Sequence, residues 1–149
     1  MTIIHFEDHP EFKPSYTPHE IIKMGAFGGT YFRPIQSGLL GRTFVDCHLE
    51  FQEIAALPPH LVTASVYDKN VNYYGVKCGL SLKDWQDKGW IRETDPRGWF
   101  QWYCRFYAGR RCYDDERQIR RWINKKNTFT RLKMTNKVKQ VLLHWAIAT

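Results

Sequence analysis

The sequence lacks the motifs that would place it in a functional class at once. Its 149 residues contain no CxxC pair, no GxSxG or HExxH motif, and neither GxGxxG nor GxxxxGK[ST], the spacings that mark nucleotide-binding loops. We therefore predict no metal and no cofactor. The four cysteines form no disulfide framework, so we expect free thiols in an intracellular protein, cytoplasmic or nuclear.

Long apolar runs are absent as well. The chain opens with MTIIHFEDHPEF, which is acidic and lacks the apolar core of a signal peptide, and no run approaches the roughly 20 residues that span a bilayer. We therefore expect no membrane partner. Hydrophobic residues make up 43% of the chain and charged residues 25%, as in globular proteins, and the length suits a single domain over residues 1–149.

Positive charge is in excess, and it is concentrated in one part of the chain. The formal net charge is +7, and residues 97–139 hold 13 of the 22 Lys and Arg residues but three of the 15 Asp and Glu residues. In the rest of the chain, acidic residues outnumber basic ones. This asymmetry favours a polyanionic partner for the last third of the sequence.

Capping signals predict several helices. A Ser, Thr or Asp that precedes a helical pattern, often followed by Pro or by an acidic residue, marks the start of a helix. Such signals are Thr17 in TPHE, Ser81 in SLKD, Asp95 in DPRG, Asp114 in DDER, and Thr135 or Asn136 before KVKQVLLHW. We expect a mainly α fold, with α+β left open: a single compact helical domain with short strands or extended segments in its first half, where RTFVDCHLEF, LVTASVY and VNYYGVKC lie.

The helix predicted after DPRG is unusually aromatic. Trp99, Trp102 and Phe106 recur at spacings of three and four, which predicts that they face the core. Tyr103 and Tyr107 lie among arginines, and rings interleaved with guanidiniums are typical of surfaces that stack bases and neutralise phosphates. We therefore assign these two tyrosines to a nucleic-acid contact.

The turn and helix that follow are rich in arginine. The planar guanidinium suits bidentate contact with phosphate better than an ammonium group does. We predict nucleic-acid contacts at Arg110, Arg111, Arg117, Arg120 and Arg121. The alternative is a solvated helix face, which is the usual role of a run of charges.

Three polar residues are candidates for catalysis. Asp115 lies among the arginines, and its carboxylate is hypothesised to support cleavage at a glycosidic bond. Asn72 and Tyr74 are candidates for hydrogen bonds to a base edge. Each has a structural alternative, which is helix capping for Asp115 and turn formation for Asn72 and Tyr74.

A glycine-rich turn is a further candidate site. Gly28 and Gly29, in GAFGGTYFRPI, permit a tight turn or a close approach of backbone to a ligand, and Arg33 follows them. If the ligand is a small phosphorylated metabolite, we expect these residues and Lys77 to lie near its phosphate.

Four long motifs stand out, namely GAFGGTYFRPI, VNYYGVKCGLSLKDWQDKGW, DPRGWFQWYCRFYAGRRCYDDERQIRRW and TNKVKQVLLHWAI. Together they resemble a family of proteins from large DNA viruses, phages, fungi and plants, and the resemblance extends from about residue 17 to residue 145. No activity is established for that family, so the resemblance implies no catalytic residues. The occurrence of the family in large DNA genomes implies a DNA-related role.

The leading hypothesis is therefore a nucleic-acid-binding protein for which DNA is the expected partner ahead of RNA and which acts, if it is an enzyme, on a base or a glycosidic bond. One alternative is a non-enzymatic interaction module or inhibitor with a basic docking face. Another is an enzyme that acts on a small phosphorylated metabolite. The sequence predicts neither the reaction nor the oligomeric state.

Overall fold

The computed structural model describes residues 4–78 and 82–149, and within these ranges the chain is mainly α-helical, as predicted. The helices in the described ranges are α1 (Pro18–Lys23), α2 (Gln52–Ala55), α3 (Pro59–Val62), α4 (Leu82–Asp87), α5 (Trp99–Tyr107), α6 (Asp115–Phe129) and α7 (Asn136–His144). None of these helices is both long and apolar enough to cross a membrane.

The first half contains the short and irregular elements. Strands β1 (Ile35–Ser37) and β2 (Arg42–Phe44) form an antiparallel hairpin, and 3-10 turns span Cys47–Glu50 and Lys69–Val71. The stretch RTFVDCHLEF thus provides one strand, whereas LVTASVY contains the end of α3 and no strand. These elements confirm the expected short strands in the first half.

The capping signals identify three helix starts correctly, those of α1, α6 and α7, and at α6 the N-cap residue Asp114 makes no side-chain cap bond. Thr17 and Glu20 form the predicted capping box, because Thr17 Oγ1 accepts from the Glu20 N–H at 3.2 Å and the Glu20 carboxylate accepts from the Thr17 N–H at 2.9 Å. Thr135 caps α7 by accepting from the Val138 N–H at 3.3 Å. Ser81, which is also a predicted cap, lies outside the described residues.

The predicted cap at Asp95 is wrong. Helix α5 begins at Trp99, and its N-cap is Gly98, whose φ of 102° is in the region that favours glycine. Asp95 is 1% exposed, and its carboxylate accepts hydrogen bonds from Arg105 and Arg110. A buried carboxylate facing two guanidiniums gains more from ion pairing than from capping a helix.

The core is built mostly of aromatic rings. The ring of Phe12, from the amino-terminal segment, is fully buried at the centre of the cluster. It packs against rings of α5 and α6, namely Trp99, Trp102, Tyr103, Phe106 and Trp122. The predicted core positions of Trp99, Trp102 and Phe106 are confirmed.

One buried phenol ties the segment before β1 to the start of α5. The Tyr31 hydroxyl donates to the Arg97 carbonyl and accepts from the Gln101 N–H, each at 2.9 Å. The Gln101 side chain in turn accepts from the Arg97 N–H at 2.8 Å. These bonds satisfy backbone groups at the start of α5 and fix Arg97 beside the aromatic segment around Tyr31.

Candidate ligand-binding cleft

The predicted arginine cluster is largely ion-paired within the chain. Both terminal nitrogens of Arg110 donate to Asp95, each at 2.8 Å. Arg117 is bidentate on Asp114, at 2.6 and 2.9 Å, and Asp114 is 2% exposed and makes no side-chain cap bond to α6. These guanidiniums therefore already hold the kind of partner that a phosphate would provide.

Arg111 is paired as well, whereas Arg120 is not. The Arg111 Nε lies 2.7 Å from a carboxylate oxygen of Asp8, and its guanidinium lies 3.6 Å from the centroid of the Phe106 ring. We call Arg110, Arg111 and Arg117, with their carboxylates, the paired cluster. Arg120 is exposed and has no hydrogen-bond or ion-pair partner among the described residues.

The two tyrosines assigned to a base differ in exposure. Tyr103 is fully buried, and its hydroxyl donates to the Tyr16 carbonyl at 2.6 Å, so the prediction that its ring contacts a base is wrong. Burial raises the pKa of this phenol far above its ordinary value. Tyr107 is 42% exposed, and its ring packs edge-on against Phe6.

The Asp115 carboxylate accepts hydrogen bonds inside the protein and does not face a ligand. It is 5% exposed, its Oδ1 accepts from the Trp102 indole N–H at 2.8 Å, and its Oδ2 accepts from the Cys112 N–H at 2.9 Å. Both oxygens are therefore occupied by internal donors. This arrangement corrects the prediction of a catalytic role for Asp115.

Asn72 and Tyr74 also have internal partners. Asn72 is buried and donates to the Tyr67 hydroxyl and to the Val76 carbonyl, each at 2.7 Å. The Tyr74 hydroxyl lies 3.2 Å from that of Thr149. Neither residue contacts Asp115 or lines a described cavity, so the predicted catalytic set is not brought together.

The glycine turn allows close packing of the chain against itself. Both residues have positive φ, at 63° for Gly28 and 86° for Gly29. A Cβ on Gly28 would lie 2.5 Å from the Tyr67 ring, and one on Gly29 would lie 2.1 Å from the His60 carbonyl oxygen. The predicted backbone approach is therefore to the chain's own segments and not to a ligand.

Arg33, the residue predicted to follow that turn into a phosphate site, does line a cavity. The cavity has a volume of about 400 Å³, and we call it the cationic compartment. Its basic side chains are Arg33, Lys77 and Arg97, and its one acidic side chain is Asp84 of α4. Arg33 and Lys77, which the sequence analysis associates with a phosphate, thus line the same cavity.

Arg97 is the most unusual side chain of the cationic compartment. It is 2% exposed, and its guanidinium donates to the Tyr31 carbonyl at 2.8 Å and to the Phe44 carbonyl at 3.5 Å. Its Nε has no hydrogen-bond partner. Among the described residues no carboxylate pairs with it, so a permanent positive charge is buried against neutral groups alone.

Arg33 adds a second positive charge to that of Arg97. Its Nη1 donates to the Thr30 carbonyl at 3.0 Å, and it too has no carboxylate partner among the described residues. Burial and the positive charge of Arg97 lower the pKa of Arg33. Lys77 lines the same cavity, and its ammonium lies 5.2 Å from the centroid of the Tyr67 ring. An anion between these groups would relieve their mutual repulsion.

A second cavity, of about 280 Å³, adjoins the first, and we call it the aromatic compartment. The two share the side chains of Phe27, Tyr31, Trp85 and His144, and together they form the cleft. Five further rings line the aromatic compartment: Trp90, Trp99, Phe100, Phe129 and Trp145. Such a surface can take a flat ring face to face.

Two cations border the aromatic compartment without a carboxylate partner among the described residues. The Arg121 guanidinium lies 5.3 Å from the Trp145 ring and bonds only to the Gln118 side chain and the Trp90 carbonyl. Burial, with repulsion from Arg117, lowers its pKa to about 10. Burial and Arg121 also lower the pKa of Lys125. With Arg33, Lys77 and Arg97, they complete the set of cleft cations without a carboxylate partner among the described residues.

His144 lies where the two compartments meet. Its Nε2 is 2.7 Å from the Ala26 carbonyl oxygen, so that nitrogen carries the proton, and its ring stacks on Phe27 at 4.5 Å. Burial lowers the His144 pKa to about 4. The imidazole is therefore neutral at neutral pH, and its Nδ1 is left as a hydrogen-bond acceptor.

Sequence reasoning missed most of the cleft. Trp85 and Trp90 come from one stretch of the chain and His144 and Trp145 from another, and no local spacing joins the two. Arg97 was counted with the other basic residues. The one signal that identified part of the cleft was the pairing of Arg33 with Lys77. No three His, Cys, Asp or Glu side chains within residues 4–78 and 82–149 come together as a metal site.

Comparisons with protein-family models, with curated proteins and with solved structures gave no match to this chain.

Proposed function

We propose that the protein binds a nucleotide, with a phosphate in the cationic compartment and a base in the aromatic compartment. The observation that carries the proposal is Arg97, a guanidinium that is 2% exposed and lacks a carboxylate partner among the described residues, on the wall of a cavity of about 400 Å³. This function develops the predicted phosphate role of Arg33 and Lys77.

An anion is expected in the cationic compartment because burying an unpaired charge is costly. A buried charge that is not paired is strongly unfavourable, and arginine cannot lose its proton to escape that cost. The second guanidinium of Arg33 makes the local charge more positive still. A phosphate offers two charges and several acceptors, and Arg33 and Arg97 line the same cavity, so a phosphate there would offset the charge of both guanidiniums.

A base is expected in the aromatic compartment because aromatic rings line it. Stacking of a base on an aromatic side chain contributes about 1–3 kcal/mol. Trp85 lines both compartments, so the two lie side by side, and we expect the base in one and the phosphate in the other to belong to a single ligand. Both cavities together suit a small ligand, because binding sites typically have volumes of roughly 300–1,000 Å³.

Neutral His144 supports a base rather than a second anion at the junction. With its proton directed to the Ala26 carbonyl, the imidazole offers an acceptor and no positive charge. Exocyclic and ring N–H groups of bases are donors that such an acceptor can receive.

Titration calorimetry with matched ligands tests the proposal. Nucleoside monophosphates that carry each of the common bases are compared with the corresponding nucleosides and with inorganic phosphate. We expect a monophosphate to bind at least about tenfold more tightly than either part, a difference of about 1.4 kcal/mol. If no monophosphate binds more tightly than about 1 mM, the proposal is wrong.

Two variants with the same change of charge locate the binding. Arg33→Gln removes a cation of the cleft, and Arg120→Gln removes an exposed arginine that has no partner among the described residues. We expect the first to weaken monophosphate binding by about tenfold or more and the second to leave it unchanged. Equal effects would place any binding outside the cleft.

A further inference from the structure

The carboxyl-terminal part of the chain carries a second set of unpaired cations, outside the cleft. Residues 117–149 contain nine Lys and Arg residues and no Asp or Glu. Five of the nine are exposed and form no ion pair among the described residues, and we call them the basic arc: Arg120, Lys126, Arg131, Lys133 and Lys137. They lie along α6, the turn after it and the start of α7.

The basic arc differs from the paired cluster in what its charges already contact. Arg110 and Arg117 hold bidentate carboxylates, so an added phosphate would have to displace Asp95 or Asp114. No carboxylate of the described residues competes for the basic arc. Its cations retain counterions from solution, and a polyanion gains free energy by releasing them.

The basic arc adjoins the cleft through the same two helices. Helix α6 places Lys125 and Phe129 on the wall of the aromatic compartment, and α7 places His144 there. At the start of α7, Lys137 is close enough to Cys78, on the wall of the cationic compartment, for its charge to offset part of the rise that burial causes in the thiol pKa. A chain of phosphates on the arc would therefore follow the two helices that also border the cleft.

We infer that the ligand is a single-stranded polynucleotide whose phosphates lie along the basic arc and which inserts one nucleotide into the cleft. This inference rests on the proposed nucleotide binding. A base enters the aromatic compartment only if its faces are free of neighbouring bases and its edge is unpaired. A duplex meets neither condition without disruption, so single strands are favoured.

An acidic protein segment fits these features less well. Its carboxylates match the basic arc, but it supplies no planar group that carries a phosphate for the cleft. A polynucleotide supplies a repeating anion and a flat ring on one chain, and thus matches the arc and the cleft together.

Fluorescence anisotropy with a labelled single-stranded decanucleotide tests the inference. The triple variant Lys126→Gln, Lys133→Gln, Lys137→Gln removes three charges of the basic arc, and Lys13→Gln, Lys23→Gln, Lys69→Gln removes three exposed charges elsewhere. We expect the first triple variant to bind the decanucleotide about tenfold more weakly or worse, the second to bind it as the wild type does, and both to bind the mononucleotide unchanged. If the wild type contacts four phosphates of the decanucleotide, the slope of log affinity against log salt concentration is about −2.8.

The outcomes separate the inference from the proposed function. If the decanucleotide binds no more tightly than the mononucleotide, or equally well to both triple variants, the inference is overturned while nucleotide binding stands. If decanucleotide binding is unaffected by Arg33→Gln, no nucleotide occupies the cleft and the inference is also overturned. Failure of the mononucleotide to bind contradicts the proposed function itself.

Two further arms define the ligand. A duplex of the same sequence is expected to bind at least about tenfold more weakly than the single strand at equal salt, since its bases are paired. Equal affinity for the duplex would overturn the insertion of a base. DNA and RNA versions of the decanucleotide identify which polynucleotide is the source of the shared base-and-phosphate chemistry.

Discussion

Two sets of arginines in this protein cannot be distinguished by residue type, but their environments are opposite. Those of the paired cluster each hold a carboxylate, as Arg110 holds Asp95. Those of the cationic compartment, Arg33 and Arg97, donate hydrogen bonds only to backbone carbonyls. We infer from this difference that a cation indicates a ligand site when its charge is left uncompensated. Membership of a basic stretch of sequence is not enough.

The largest expected effect comes from breaking the paired cluster. Asp95→Ala leaves Arg110 without its carboxylate and Arg105 with Glu50 alone, and removing one member of a buried ion pair costs about 3–5 kcal/mol. We therefore expect a loss of that size in the free energy of unfolding, measured by urea denaturation. A loss below about 1 kcal/mol would show that the pairing contributes little.

A somewhat smaller effect concerns the neutral imidazole of the cleft. The pKa of His144 is about 4 in the folded protein and 6.5 as a free group, so the unfolded chain binds a proton first as the pH falls. The stability that His144 contributes is complete above about pH 6.5 and is lost progressively towards pH 4, by up to about 3 kcal/mol.

Urea denaturation at several pH values checks this contribution. Other groups titrate in the same range, so the quantity of interest is the difference between the wild type and His144→Gln. The wild type should lose more stability than the variant between pH 6.5 and pH 4. Parallel pH profiles would contradict a partly buried, neutral His144.

A third effect tests the structural role of Asp115. In Asp115→Asn an amide NH₂ replaces one acceptor oxygen, so either the Trp102 indole N–H or the Cys112 N–H loses its partner. Leaving one buried donor unsatisfied costs about 1–3 kcal/mol. Thermal denaturation should show this loss, and an unchanged melting temperature would reopen a functional role for the carboxylate.

The smallest effect on stability is expected in the cleft itself. Arg33→Gln loses a bond to the Thr30 carbonyl but also removes the repulsion between Arg33 and Arg97. The free energy of unfolding should change by less than about 1 kcal/mol in either direction. A loss as large as that of Asp95→Ala would mean that Arg33 stabilises the fold rather than serving a ligand.

Local patterns allowed much of the fold to be predicted from the sequence, because capping and helical periodicity depend on neighbouring residues. Thr17 and Thr135 cap as expected, and Trp102 lies in the core. The pairing of charges was not predictable in this way. Asp8 and Arg111 are 103 residues apart, and nothing in either neighbourhood indicates that they meet.

The cleft shows the same limit. Its aromatic wall combines Trp85 of α4, Trp90 and Trp145, and their convergence depends on the packing of the whole chain. Asp95 preceding Pro96 has the form of a helix cap, and only the folded structure shows that its carboxylate pairs with Arg105 and Arg110. Arg33 and Lys77 were associated correctly because both follow candidate ligand turns.

The most direct test of the account compares one cation from each set by calorimetry. Arg33→Gln removes a charge of the cleft, and Arg111→Gln removes an exposed charge of the paired cluster, with the same change in net charge. The account predicts that nucleoside monophosphate affinity falls by about tenfold or more in Arg33→Gln and stays at the wild-type value in Arg111→Gln. Equal affinity of the two variants, or a loss confined to Arg111→Gln, would contradict it.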